Sequence, residues 1–431
     1  MNRRDFLDRF TRGSAALAVT GAALAAASKA RAALTIPAGS TPQTLAADEE
    51  FWRGVSTMWA PAPDFINLEY GYFHAAALPT LEAELRMARR INTRNSRYKR
   101  VDMNADQEAA RAALAEAVGA PLEEITITRN ATESLDTVIL GLDLAPGDEI
   151  VYGNTDYGSM IEAIEQKARR NGIVPRMVTV PLNPSSDDEV VAAYAAGMTP
   201  KTKLLLVTHL INITGQITPV RKICDMAHAR GAEVVVDSAH AVGQFVFNLP
   251  DLGCDYLGSS LHKWMCAPLG LGLLYVKKSK IAKVWPLIAD TGLPVDDIRK
   301  LSQHGTRPES AHVGLVEAIR VHREIGPANK EARLRYLQQR WRSALQDLPG
   351  IVINTPRDPA RYAGVGNVGL KGVAPGELAD YLLAQHNIFT VAINHATFQG
   401  LRVTPGVPTP ADHVDRFIVA MKAARTHFGV A

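Results

Sequence analysis

With 431 residues the chain is long enough for two or three domains and a large core. Hydrophobic residues make up 47% and charged residues 21%, the balance of an ordinary enzyme-sized globular protein. A net charge of +3 is too small to favour nucleic acid or a membrane surface as a partner. The three cysteines, Cys224, Cys254 and Cys266, make no disulfide framework and match no metal spacing, so packing is their expected role.

The first 32 residues stand apart. Arg3-Arg4 precede Asp5-Phe6-Leu7, an Ala-rich, weakly apolar run covers 13–27, and Ala30-Arg31-Ala32 is a small-x-small cleavage pattern flanked by Lys29. The segment resembles a twin-arginine signal, which hands folded proteins to the twin-arginine export machinery. It implies cleavage after Ala32, a periplasmic location and a cofactor loaded before export. A short apolar helix or a membrane anchor is the alternative reading. About 15 weakly apolar residues fall short of the roughly 20 that span a bilayer, and no other segment favours stable membrane insertion.

Residues 33–64 read as an extended N-terminal arm with one short helix near Glu50. From Phe65 strands alternate with helices. The spacing predicts a helix over 106–118, a strand at 125–127, a helix from Asn130 to Leu140, a strand at 149–152 and a helix over 158–171. A strand at 174–180 and a helix near 187–196 follow. Lys203–Thr208 is a continuous apolar run, as expected of a strand buried on both faces. Then come a helix at 220–230 and strands at 233–236, 255–258 and 272–276. Short buried strands separated by helices imply an α/β fold with a mainly parallel sheet covered on both faces. After Thr306 the pattern changes to long helices over 312–347 and strands near 351–354, 366–370 and 401–403. This change divides the chain into a large domain, 65–309, and a smaller C-terminal α+β domain, 310–431.

Asp237 follows three valines at the end of a buried strand, where the edge of a parallel sheet collects ligands. A carboxylate there is expensive unless it meets a cation. Lys263 stands 26 residues later in SSLHKW, where partial burial lowers an amine pKa and makes it a nucleophile. A structural ion pair explains these two residues equally well. Asn130-Ala131-Thr132-Glu133 opens a helix after a strand, so its N–H groups and the Thr132 hydroxyl can hold a phosphate, although simple capping is the default. Asn212 lies just beyond a buried strand, and Ser260 and His262 flank Lys263. A Schiff-base lysine, an acid for a pyridinium nitrogen and a phosphate cradle are the parts of a pyridoxal 5′-phosphate (PLP) site.

The stretch VVVDSAHAVGQF…DYLGSSLHKWMCAPLGLGLLYV resembles the cofactor core of class V, fold-type I PLP enzymes, and within them the isopenicillin N epimerase-like branch. The likeness runs from about Phe65 to the C-terminus. It implies a large domain with a mainly parallel seven-stranded sheet. It implies that Lys263 holds PLP as an imine and that Asp237 pairs with the pyridinium nitrogen. His240 and Asn212 are then expected near the ring hydroxyl, and Ala131, Thr132, Ser260 and His262 at the phosphate. Tyr157 matches the position whose ring stacks on the cofactor. His304-Gly305-Thr306 resembles the segment whose threonine reaches the neighbouring subunit's phosphate, which implies a homodimer with shared sites. Arg402 is placed like the arginine that clamps a substrate α-carboxylate, a contact suited to a guanidinium fork.

The residues leave the reaction open. A persulfide-type desulfurase needs a nucleophilic cysteine in the loop before the arginine, but 391–400 reads VAINHATFQG. An epimerase needs an acid opposite Lys263, for which Tyr157 and His395 are weak candidates. A C–S or C–C lyase without that cysteine is a further alternative. A transaminase needs only Lys263 and fits with least demand, acting on a small-molecule amino acid or a peptide-borne one. A non-catalytic exported binding protein is the reading from another class. For it, the cluster Arg94–Arg100 could attract anions, although a solvated loop is the plainer expectation for that segment.

Overall fold

The computed structural model describes residues 34–290 and 292–430, so the twin-arginine segment and its cleavage point lie outside the described residues. Short helices α1 (Pro42–Ala46) and α2 (Glu49–Ser56) precede strand β1 (Ile66–Asn67). They lead into α3 (Leu78–Val101) and α4 (Met103–Val118). The alternating part runs β2 (Ile125–Thr128), α5 (Ala131–Gly141), β3 (Glu149–Gly153), α6 (Gly158–Asn171), β4 (Val174–Val178) and α7 (Asp187–Gly197). It continues through β5 (Thr202–Thr208), α8 (Val220–His228), β6 (Glu233–Asp237), β7 (Tyr256–Ser260) and β8 (Gly272–Val276). The last part holds α9 (Ser310–Ile325), α10 (Pro327–Leu345), β9 (Ile351–Ile353), β10 (Gly366–Leu370) and α11 (Pro375–His386). It ends with β11 (Ile388–Phe389), β12 (Val391–Asn394), β13 (Gln399–Val403) and α12 (Ala411–His427).

Seven strands form the central sheet in the order β2-β8-β7-β6-β5-β3-β4. All of it is parallel except β8, which runs antiparallel to both β2 and β7. The reason is the connection: residues 261–271 are too few for the helical crossover that a parallel neighbour requires, so the chain turns back. That turn carries Lys263. Alternate residues of each strand feed opposite layers, as a strand's period of two dictates. Leu205, Val207, Val234 and Val236 pack with α4, α8 and α9, whereas Leu204, Leu206 and Val235 pack with α5 and α6. Burial on both faces explains why these strands read as unbroken apolar runs.

A four-stranded antiparallel sheet, β12-β13-β10-β9, lies at the other end, closed by Trp341 of α10 and Phe417 of α12. β1 pairs in parallel with β11, which ties the start of the chain to its last quarter.

Three expectations need correction. Residues 34–64 hold the expected helix near Glu50, which is α2, but they are not otherwise an extended arm. Leu45, Trp52 and Val55 are buried against Val321 and Ile325, and the buried Arg333 is clasped by Glu49, so apolar burial folds the segment onto α9 and α10. Arg94–Arg100 is not a loop but the last part of α3, kinked at Asn95 with φ 30°. Only Tyr98 of that stretch is buried, so its helical character leaves little apolar signature. The segment 391–400 is not a plain loop either: Val391–Asn394 pairs with Gln399–Val403 as a hairpin. Among the described residues no helix is long and apolar enough to cross a membrane.

Candidate active site

The carboxyl ends of β5 and β6 finish level, because Thr208 pairs with Asp237, and β7 runs two residues further, since Asp237 pairs with Gly258 and the strand ends at Ser260. This is the edge at which parallel sheets bind ligands. A cavity of about 200 Å³ opens there. Asn130, Ala131 and Thr132 from the start of α5, Tyr157, Asn212, Asp237, His240, Ser260, His262, Lys263 and Arg402 line it. Ten of the eleven residues expected at the site are therefore brought together. Thr306 is the exception: it is exposed and outside the cavity of its own chain.

Lys263 Nζ lies 3.0 Å from His240 Nε2. The Trp264 indole N–H, a donor only, points at the other ring nitrogen, Nδ1, at 3.3 Å. Nδ1 must accept, so a neutral ring carries its hydrogen on Nε2. The ring is neutral: burial, with Lys263 and Arg402 nearby, pushes its pKa well below the ordinary histidine value. Nε2–H then donates to Lys263, which must offer a lone pair. Geometry thus favours the uncharged amine more than for an ordinary lysine. Burial lowers the Lys263 pKa to about 8, with Arg402 helping and Asp237 and Glu69 opposing. At about pH 7 roughly a tenth of a group with such a pKa is neutral, several hundredfold more than for an ordinary lysine.

Asp237 is 5% exposed and accepts the Ala239 N–H at 2.9 Å. Burial raises its pKa, with Ala239 and Lys263 pulling the other way. This carboxyl is under-compensated and calls for a cation. Behind it sits Asp156, which the sequence pattern did not reveal. Asp156 is buried, takes hydrogen bonds from the Thr208 hydroxyl at 2.7 Å and the Gly153 N–H at 2.8 Å, and is pushed up to about 7 by burial.

The side of the cavity expected to take a phosphate is built from two elements. Asn130 caps α5 by accepting the Glu133 N–H at 2.8 Å, and Ser260 Oγ accepts the Ala131 N–H at 2.9 Å, tying the helix start to the end of β7. The positive end of the helix dipole faces the cavity. His262 Nδ1 is buried with no hydrogen-bond partner, and burial, with Lys263 beside it, lowers that ring's pKa to about 4. Tyr157 is 45% exposed, so its ring has a face free for a flat ligand. A buried nucleophilic amine, an acid short of a cation and an unpartnered His262 ring nitrogen beside a helix start fit PLP well.

Some residues sit differently from expectation. Arg402 reaches the cavity, but its fork is already clasped by Glu69, another residue the sequence pattern did not reveal. His395 does not line the cavity: it bonds Thr397 and the Asn154 carbonyl and stacks on Phe398. No cysteine lines the cavity, and all three are free and buried, with thiol pKa values raised by burial.

Fold and site together define a fold-type I PLP enzyme. The Aminotransferase class-V family profile matches residues 80–408, and the chain belongs to that family, with pyridoxal 5′-phosphate as its cofactor. Among curated relatives, isopenicillin N epimerase of Streptomyces clavuligerus is 30% identical over 331 residues, covering 73% of this chain and 83% of the relative. Cysteine desulfurase of Haloferax volcanii is 28% identical over 346 residues, covering 74% of this chain and 79% of the relative. A solved mutant of C-DES, with glycine covalently linked to its PLP cofactor, superimposes with a TM-score of 0.74. It shares 23% identity over 83% of this chain and 96% of that one, a likeness of fold.

Proposed function

We propose that this chain acts at the α-carbon of an amino acid or a peptide-borne amino acid, as an aminotransferase. The observation that carries the reading is the amine at the cavity, Lys263, biased towards its uncharged form by burial and by His240 and Trp264, opposite an under-compensated Asp237. On this reading Lys263 holds PLP covalently, and Asp237 keeps the proton on the ring nitrogen. His240 and Asn212 face the ring hydroxyl, and Tyr157 covers one ring face. Ala131, Thr132, Ser260 and His262 take the phosphate, and Thr306 of a second copy completes the site in a homodimer.

Bound PLP supplies an electron sink for the pair left on the substrate α-carbon when a bond to it breaks. Lys263, once displaced by the substrate amine, is the base within reach for the α-proton and returns it at another atom. Without a cysteine at the cavity, the persulfide route of desulfuration has no nucleophile here.

Epimerisation is the second reading, favoured by the relative from Streptomyces clavuligerus and by two tyrosines, Tyr72 and Tyr157, at the cavity. The purified protein should show a cofactor absorbance that borohydride abolishes, and Lys263→Ala should lack it. A panel of amino acids and keto acids in deuterium oxide then separates the two. Keto-acid product supports transamination, whereas exchange with inversion and no keto acid supports epimerisation. Residues 1–32 support export in folded form to the periplasm, which fractionation of cells carrying wild-type and Arg3→Lys/Arg4→Lys chains would test.

A further inference from the structure

Arg402 reaches the cavity with its charge already answered. Nε donates to Glu69 Oε2 at 2.9 Å and Nη2 to Oε1 at 2.8 Å, and the two side chains are only 3% and 1% exposed. Glu69 is anchored in turn: Oε1 also accepts the N–H groups of Gly71 at 2.8 Å and Tyr72 at 3.1 Å. A Cβ on Gly71 would stand 2.8 Å from that oxygen and 3.2 Å from Arg402 Cζ, so the chain is wrapped closely round the pair. Glu69 cannot swing aside without undoing this turn. Arg402 Nη1 lies 3.4 Å from the Asn212 carbonyl, and the Tyr72 ring covers the guanidinium at 4.6 Å. A guanidinium has five N–H donors. Three are engaged, which leaves two donors on an ion pair with no net charge, on a residue that lines the cavity.

A free α-carboxylate placed there would set a second anion beside Glu69 with one cation between them. Like charges at close range in a dry site repel, and one guanidinium charge cannot fully answer both. The carbonyl oxygen of an amide or peptide bond takes the same donors and brings no charge. We propose that Glu69 is a specificity-determining residue that turns Arg402 from a carboxylate clamp into a carbonyl donor. The substrate class is then an α-amine whose carboxyl group is masked, such as the N-terminal residue of a peptide. The mouth suits such a substrate: Tyr72, which lines the cavity, is 57% exposed and offers an apolar ring to the part of a substrate beyond that carbonyl. This inference rests on the reading that Lys263 carries PLP.

The test uses holoenzyme and two small probes, aminooxyacetate and aminooxyacetamide, which differ only in that charge. Each displaces Lys263 from PLP: one C=N bond forms as another breaks, the lysine leaves as a free amine, and nothing is oxidised or reduced. The rate is read from the change in cofactor absorbance. The amide should react at least about tenfold faster than the acid, and Glu69→Gln should reverse or erase the ratio by lifting the acid rate. Equal rates, or a faster acid, in the wild-type protein overturn the inference, and that comparison needs no variant to fold. Reaction with neither probe, together with no borohydride-sensitive absorbance, instead brings down the PLP reading beneath it.

Discussion

Replacing Trp264 by Phe removes one N–H from a buried chain of three groups and should make Lys263 a worse nucleophile without touching it. In the wild-type protein the indole donates to His240 Nδ1 at 3.3 Å, and Nε2–H faces the lysine at 3.0 Å. A protonated Lys263 would set donor against donor. With the indole N–H gone, the imidazole can move its hydrogen to Nδ1 and accept from a charged lysine. A neutral hydrogen bond is worth about 1 kcal/mol, or roughly 0.7 to 1 pKa unit. The amine should therefore move from about 8 to about 9. At about pH 7.5 the neutral fraction then falls from roughly a quarter to about 3%, an eightfold loss that vanishes near pH 10. Stopped-flow absorbance of PLP capture by apoenzyme, measured against pH for both proteins, reads the shift. Trp264 is fully buried, so the smaller ring also costs about 1–3 kcal/mol of packing, and thermal melting must show that the variant is folded at the assay temperature. A folded Trp264→Phe protein whose pH midpoint stays within about 0.3 unit of wild type would refute the tautomer argument.

Asp156 makes stability fall with pH. Its carboxyl keeps a proton in the folded state up to about 7 that the unfolded chain gives up near its ordinary value, so stability present in acid is lost as pH rises toward 7. Asp156→Asn can keep both hydrogen bonds, accepting from Gly153 and donating to Thr208, and should remove about 2 kcal/mol of this dependence between about pH 5 and pH 7 in paired denaturation curves. Asp237→Asn should still capture PLP but lose about a hundred- to thousandfold in α-proton exchange, because a neutral amide does not hold the ring-nitrogen proton. Glu49→Ala leaves the buried Arg333 without a carboxylate, with the Ala46 and Thr409 carbonyls as acceptors and the Trp52 and Tyr336 rings beside it. It should cost about 2 kcal/mol in urea unfolding, below the usual range for a buried pair because Glu49 is itself partly exposed. Gly243 sits at φ 80°, and a Cβ there would meet Met265 N at 2.7 Å. Gly243→Ala should push on the Lys263 turn and lower both melting temperature and PLP capture, whereas unchanged capture would detach this glycine from the site.

The central sheet was legible because its strands are buried on both faces and so declare themselves as apolar runs between amphipathic helices. Asp237 was legible for a related reason: a charged residue directly after such a run has little to do but meet a ligand or another charge, whereas Lys263, three residues past β7, was marked by the sequence around it. α3 was harder to see, since only Leu78, Thr80, Ala83, Met87 and Tyr98 of its 24 residues are buried. The short strands β11 and β12 carry too few residues for a period of two to show.

Local order along the chain therefore determined the fold class and marked Asp237, Lys263 and the start of α5 as candidate site positions, because burial and charge near a strand end single them out; their cofactor roles came only with the family resemblance. Tertiary structure alone decided the state and surroundings of those groups. Glu69 and Arg402 are 333 residues apart, yet share two hydrogen bonds. His240 and Trp264, 24 residues apart, settle one proton's position beside Lys263. Such pairings carry no periodicity and no composition. They depend on which segments the folded core brings within a few ångströms, where the field of one side chain is felt by the next before water can screen it.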